Sequence, residues 1–323
     1  MSIGGLRQLK LPELRIGKLV AKVPVIQGGM AIRLSTAPLA AAVAREGGIG
    51  LIAASGMTVD ELRNEIKLAR SLTDGIIGIN MMVAARSFAV MIKTAIEEGI
   101  DLVVAGAGFS RDMFALGKES GTPIVPIVSS AKLARISEVL GAAAVIVEAK
   151  EAGGHLRTDR SMRVIVPEVR AAVKIPVIGA GGVMNGKDIV EVIRLGGNGV
   201  QMGIRFAASE ESNAGPALKE FYLKAKPEDV MLINSPVGLP GQAVRNPFAA
   251  KIADGTVAKP DTCDACLKHC SQSFCIIKSL IRAQQGDVET GLVFTGENVH
   301  KIDKILSVKE IMATLVKEAE ETE

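Results

Sequence analysis

The chain has 323 residues, 48% of them hydrophobic and 23% charged, with a formal net charge of +3. This is the composition of a folded chain with a large core, too apolar for disorder and too evenly charged to favour nucleic acid or an anionic membrane surface. Aromatic residues make up 3%, with one Tyr (Tyr222) and no Trp, which argues against a base-stacking platform.

Residues 1–19, MSIGGLRQLKLPELRIGKL, lack the apolar core and small-residue cleavage site of a secretory leader. No stretch approaches the ~20 uninterrupted apolar residues of a membrane helix, so the expected compartment is the cytoplasm. From residue 24 short β-rich apolar runs alternate with helical patterns. The runs are PVIQGG (24–29), IGLIA (49–53), IIGINMM (76–82), LVVAGAG (102–108), PIVPIV (123–128), AAVIVEA (143–149), PVIGAGG (176–182) and GVQMGIRFA (199–207). Between them TVDELRNEIKLARSL (58–72) predicts an amphipathic helix with Leu62, Ile66 and Ala69 on one face, started by a Thr58–Glu61 capping box. Near-continuous apolar runs, each followed by a helix, imply parallel strands buried on both faces. Eight of them at a spacing of about 25 residues predict an α/β fold, a (β/α)8 TIM barrel over residues 1–210, rather than an open doubly wound sheet.

After residue 209 the rhythm breaks. Residues 216–226 read as a helix, 231–262 as loop-rich, and IIKSLIRAQQGD as a helix ending at Gly286. SVKEIMATLVKEAEETE predicts a closing amphipathic helix with Ile311, Leu315 and Val316 facing inwards. Residues 211–323 are therefore expected to form a smaller C-terminal subdomain packed on the barrel.

Barrel sites lie at the C-terminal ends of strands. Here those ends carry Gly28, Gly29 and Met30; Asn80; Glu148 and the run EAGGH (151–155); Ala180, Gly181 and Gly182; and Gln201, Met202 and Gly203. Glycine at a strand end lets backbone N–H groups approach a ligand closely. The glycines after the seventh and eighth runs fall where barrels hold phosphate, the alternative being plain tight turns. His155, one of three histidines, ends a Gly-Gly turn at the mouth and is the candidate acid–base group. Asn80 and Glu148 would bond a polar ligand edge, or serve as a turn residue and a rim charge. The patterns GxSxG, HExxH and Walker A are missing, and GxGxxG does not occur in a strand–turn–helix context.

All four cysteines fall within CDACLKHCSQSFC (263–275): Cys263, Cys266, Cys270 and Cys275. In a reducing compartment such a cluster more often binds metal or does redox chemistry than forms disulfides. Four soft ligands suit a [4Fe–4S] cluster or tetrahedral zinc, and the irregular C-x2-C-x3-C-x4-C spacing is closer to iron–sulfur binding than to paired zinc knuckles. Free thiols or disulfides are the alternative.

The motifs PVIQGGM, GINMM, VEAKEAGGH, PVIGAGGV and VQMGIRF, with PVGLPGQAVRNPF beyond them, resemble the nitronate monooxygenase family (older name 2-nitropropane dioxygenase), which also contains the flavin-dependent enoyl-[acyl carrier protein] reductase FabK. The resemblance covers residues 20–250. It implies a TIM barrel holding non-covalent FMN, with Gly28, Gly29 and Met30 along the flavin ring. It places Asn80, Glu148 and Gln201 at the ring's polar edge or ribityl chain, and Gly153, Gly181, Gly182, Gly203 and Ile204 at the phosphate, with Met202 beside them. His155 matches the family's active-site histidine. The cysteine run departs from the family's best-known members.

The activity implied is an FMN oxidoreductase. It would run reductively from NAD(P)H to an activated double bond such as an enoyl thioester, or oxidatively on nitronates with oxygen. An iron–sulfur centre would favour the reductive direction and a redox partner such as ferredoxin; a homodimer is left open. From another class, a phosphate-sugar lyase or isomerase would want a strand-end lysine or a paired acid and base. The strand cores hold no Lys, and Lys150 lies just past the sixth. A third alternative is a non-catalytic flavin-binding module.

Overall fold

The computed structural model describes residues 10–30, 32–156 and 158–322; residues 1–9, half of the segment read above for a leader, lie outside them. Chain order begins with a hairpin, β1 (Leu14–Ile16) and β2 (Leu19–Ala21). The repeating part follows: β3 (Val25–Gln27), α1 (Ala37–Arg45), β4 (Ile49–Ala53), α2 (Val59–Leu72), β5 (Ile76–Met82), α3 (Phe88–Glu97), β6 (Leu102–Gly106), α4 (Asp112–Ser120), β7 (Ile124–Val128), α5 (Ala131–Val139) and β8 (Val145–Glu148). A two-residue strand β9 (Gly154–His155) interrupts before α6 (Met162–Ala172), β10 (Val177–Ala180), α7 (Gly186–Arg194) and β11 (Gly199–Met202). Among the described residues, eight parallel strands close into a barrel in the order β10-β11-β3-β4-β5-β6-β7-β8. The α/β fold expected from the eight apolar runs is a TIM barrel.

The alternation of a pleated strand divides the apolar residues between two cores. Ile26, Leu51, Val104, Val125, Ile146 and Ile178 fill the barrel interior together with Leu14 and Ile16 of the hairpin. Leu14 reaches Gly199, the first residue of β11, so the hairpin plugs the end where the strands begin. Ile52, Ile77, Ile79 and Val103 point outwards onto the helices, where they meet Leu62, Ile66 and Ala69 of α2. Each large aliphatic side chain buried there contributes on the order of 1.5–3 kcal/mol. The start of α2 is fixed as its sequence predicts: the Glu61 N–H donates to Thr58 Oγ1 at 3.2 Å and the Thr58 N–H to Glu61 Oε2 at 2.7 Å.

Beyond β11 the chain makes an excursion. It comprises α8 (Ile204–Ala207), α9 (Pro216–Lys224), β12 (Val230–Asn234), β13 (Pro240–Val244), α10 (Pro247–Ala253), the thiol segment and α11 (Ile276–Gln284). The stretch read as loop-rich, 231–262, thus holds most of a β-hairpin and a short helix. β13 pairs antiparallel with both β12 and β9, which lays a three-stranded sheet across the barrel mouth.

The last element, α12 (Val308–Glu320), returns to the barrel wall. Its Ile311, Met312 and Leu315 pack with Leu39 and Val43 of α1 and with Ile189 and Val190 of α7. Gly186 at the start of α7 lies so close to α12 that a Cβ there would run into the backbone of Ala319 and Leu315. The closing helix therefore takes the eighth place in the helical ring. The barrel's final helix is separated from its final strand by the whole excursion.

Candidate active site

A cavity opens at the C-terminal ends of the barrel strands and reaches under the excursion. The strand ends contribute Gly28, Gly29 and Met30 after β3, Asn80 on β5, Glu148 on β8, Gly181 and Gly182 after β10, and Gln201 and Met202 on β11. Gly203 and Ile204 at the start of α8 and Gly153 before β9 complete that side, and His155 faces the same space. The structure gathers all of these separated positions, and the barrel explains why: parallel strands bring every C-terminal end to one face.

Two glycines there have positions that a larger residue could take only with strain or by displacing its neighbours. A Cβ on Gly29 would collide with the Cβ of Asn80, so the ring of strand ends closes tightly at this point. Gly182 sits at φ +73°, with Glu151 Cβ 3.1 Å and Asn298 Nδ2 3.2 Å from where its Cβ would be. The Asn298 amide donates to the Gly182 carbonyl at 2.7 Å, and so holds that turn from the excursion side. Among the described residues, one buried side-chain oxygen lacks a hydrogen-bond partner, Gln201 Oε1. A buried orphan acceptor costs about 1–3 kcal/mol. On the cavity wall it is what a bound polar group with a donor would satisfy.

The opposite wall comes from the excursion. Ile276, Ile277 and Leu280 of α11, Tyr222 of α9 and Phe294 make it apolar. Tyr222 is fully enclosed, its hydroxyl donates to the Phe294 carbonyl at 3.2 Å, and burial pushes its pKa far above the ordinary phenol range. His155 stands where the two walls meet. Its Nε2 is 2.7 Å from Ser235 Oγ, and its ring lies edge-on to Phe294 with centroids 5.2 Å apart. Ser235 follows β12 and is buried, and the β13–β9 pairing brings it to the histidine. Sequence reasoning missed Ser235, Asn298 and the α11 face. The only signal for Ser235 was its place in SPVGLPGQ, the motif of the PVGLPGQ resemblance.

The thiols lie apart from this cavity. Cys263 and Cys270 are exposed, Cys266 and Cys275 half-buried, and all four are free. Burial raises the Cys266 thiol pKa, and the neighbouring Cys275, Cys270 and Cys263 push it the same way. Among the described residues no three His, Cys, Asp or Glu side chains are gathered closely enough to hold a metal ion. The ligand set expected from the spacing, whether for zinc or for an iron–sulfur cluster, is therefore not seen as a closed metal site.

The family model for nitronate monooxygenase matches residues 13–318. The chain belongs to the nitronate monooxygenase family. Similar solved structures include FabK from Thermotoga maritima, with a TM-score of 0.84, 37% identity and 93% of each chain covered. A probable nitronate monooxygenase of Staphylococcus saprophyticus is 29% identical over 300 residues, 78% of this chain and 84% of that one. A Mycobacterium tuberculosis protein named (3aS,4S,5R,7aS)-5-hydroxy-7a-methyl-1-oxo-octahydro-1H-indene-4-carboxyl-CoA dehydrogenase is 32% identical over 239 residues, 73% of this chain. The match spans 67% of that relative's length.

The family is flavin-dependent and its members are oxidoreductases, as is this chain. That sets aside the lyase or isomerase and the non-catalytic module, and no Lys lines the cavity among the described residues. No helix among the described residues is long and apolar enough to cross a membrane.

Proposed function

We propose that the chain is an FMN-dependent reductase that takes reducing equivalents from NAD(P)H and saturates an activated double bond, with an acyl thioester as the substrate class. The observation that carries this reading is the division of the cavity: glycine-lined strand ends on one side, an apolar wall on the other, and His155 between them. The orphan Gln201 Oε1 and the close glycine turns fit a flavin with its polar edge and phosphate against the barrel. In this reading Gly28, Gly29 and Met30 border the ring, and Asn80, Glu148 and Gln201 meet its polar groups. Gly153, Gly181, Gly182, Gly203 and Ile204 surround the phosphate, with Met202 packed behind.

Bound FMN would supply the hydride chemistry. The chain supplies the rest. Ile276, Ile277, Leu280 and Phe294 exclude water and accept an acyl chain. His155 delivers the proton that must follow the hydride, and Ser235 Oγ fixes which way its ring faces. The likeness to FabK at 37% identity favours this direction. The oxidative reading, a nitronate converted with oxygen, is favoured by the family match itself.

One experiment separates them. The flavin is reduced anaerobically with NADH or NADPH, then mixed with crotonyl thioester, and separately a nitronate is offered with oxygen. Reoxidation by the thioester supports the reductase. Turnover only of the nitronate replaces it with the oxidative reading, and a colourless protein that binds no added FMN refutes both.

A further inference from the structure

We propose that residues 263–275 form a second cofactor site, binding an iron–sulfur cluster of the [4Fe–4S] class through Cys263, Cys266, Cys270 and Cys275. Cys263, Cys266 and Cys270 line one cleft of about 510 Å³, separate from the strand-end cavity, and Cys275 caps the start of α11 beside it. The site stands independently of the flavin reading.

The backbone that carries the thiols is held firmly. The Arg86 N–H donates to the Cys266 carbonyl at 3.0 Å and the Lys268 N–H to the Ala84 carbonyl at 2.8 Å, a two-way link to the loop after β5. Arg86 Nε adds a bond to the Leu267 carbonyl at 2.9 Å. Leu267 and Phe274 are buried as apolar anchors on either side of Cys270. Firm anchoring of a segment with no helix or strand of its own, with its polar thiols left towards a cleft, is presentation rather than packing.

Two further features point to a ligand. Ala265 and Gln272 adopt φ of +47° and +57°, a region that costs a residue with a Cβ on the order of 1 kcal/mol or more and persists where surroundings impose it. The second turn aims donors at sulfur: the Gln272 N–H donates to Cys270 Sγ at 3.4 Å and its side-chain Nε2 to Cys263 Sγ at 3.8 Å. Hydrogen bonds to ligand sulfurs stabilise thiolates and help set a cluster's potential. Arg86, Lys268 and His269 also line the cleft, so the surroundings suit an anionic centre.

The spacing along the chain favours a cluster over zinc. The run C-x2-C-x3-C-x4-C lacks the paired knuckles of a zinc ribbon, and four soft thiolates suit a [4Fe–4S] centre.

The test uses the full chain purified without oxygen and reconstituted with ferric iron, sulfide and dithiothreitol, the thiol reducing part of the iron. Iron, acid-labile sulfide, zinc and flavin are each measured on the same sample. The expected result is about four irons and four sulfides per chain, with visible absorption that survives flavin extraction. Replacing one of the two exposed thiols, Cys270→Ser, should cut bound iron by more than half while flavin content and far-UV circular dichroism stay as in the parent. No iron after reconstitution, stoichiometric zinc in its place, or undiminished iron in a Cys263/266/270/275→Ser variant would each overturn the proposal. A protein with a full cluster and no flavin would refute the flavin reading and leave this one standing.

Discussion

The barrel and the excursion between β11 and α12 line the same cavity, but they are built by different rules. On the barrel side, each contributing residue is placed by the strand that ends there, and neighbouring strands hold it within a closed hydrogen-bonded ring. On the excursion side, placement comes from pairings between distant segments: β13 on β9, the Asn298 amide on Gly182, and α11 following an irregular thiol segment. A closed ring gives a rigid cradle suited to a cofactor held through every turnover. A covering assembled from long-range contacts can be reshaped without disturbing the ring, which suits the part that selects substrate.

The largest effect should come from the element that crosses between the regions. Leu315 of α12 is buried against α1 and α7, so Leu315→Ala should destabilise the barrel itself by about 2–5 kcal/mol. Denaturant unfolding followed in the far ultraviolet measures this. A loss confined to the excursion, with the barrel transition unmoved, would mean that α12 is an accessory.

Next comes the cradle. Gly182→Val places a branched side chain at φ +73° with Glu151 and Asn298 already at contact, and should leave the protein largely without flavin while it still folds. The flavin-to-protein ratio after gel filtration reads it directly. Full occupancy would move the phosphate elsewhere.

A smaller and more diagnostic change is Gln201→Met, which keeps side-chain length and removes the orphan acceptor. The flavin-free protein should gain about 1–3 kcal/mol of stability while flavin affinity falls by at least tenfold. Opposite signs for the two measurements are the point. A loss in both would mean that Gln201 is an ordinary structural residue.

On the excursion side, Ser235→Ala removes one hydrogen bond to His155, worth about 0.5–1.5 kcal/mol, and should slow substrate turnover by about two- to tenfold. Flavin content should not change. If flavin is lost instead, the two regions are not separable in the way their construction suggests.

The two regions also differ in how far the sequence discloses them. All eight barrel strands are legible because strands buried on both faces must be apolar at nearly every position, as in IGLIA and LVVAG, whose residues are all buried. The glycine-rich ends follow from those strands. β12 and β13 are not legible: β12 is buried only at Ile233, β13 begins with Pro240 and contains Gly241, and so neither carries a clear period. The seven residues of α10 are too few to show a helical stripe. The contact of Ser235 with His155 spans 80 residues and depends on the β13–β9 pairing, which no local pattern encodes. The place of α12 in the ring is hidden for the same reason, since its amphipathic face is plain but its partners lie across the excursion.

In the proposed function the barrel serves the cofactor, while His155 and the excursion serve the substrate. Anaerobic rapid mixing of the parent and His155→Ala separates the two roles by timing flavin reduction by NAD(P)H apart from reoxidation by crotonyl thioester. Flavin content and reduction rates should be equal, with reoxidation slowed by about 10² to 10⁴ in the variant. Equal slowing of both steps, or reoxidation at the parent's rate, would contradict this division of roles.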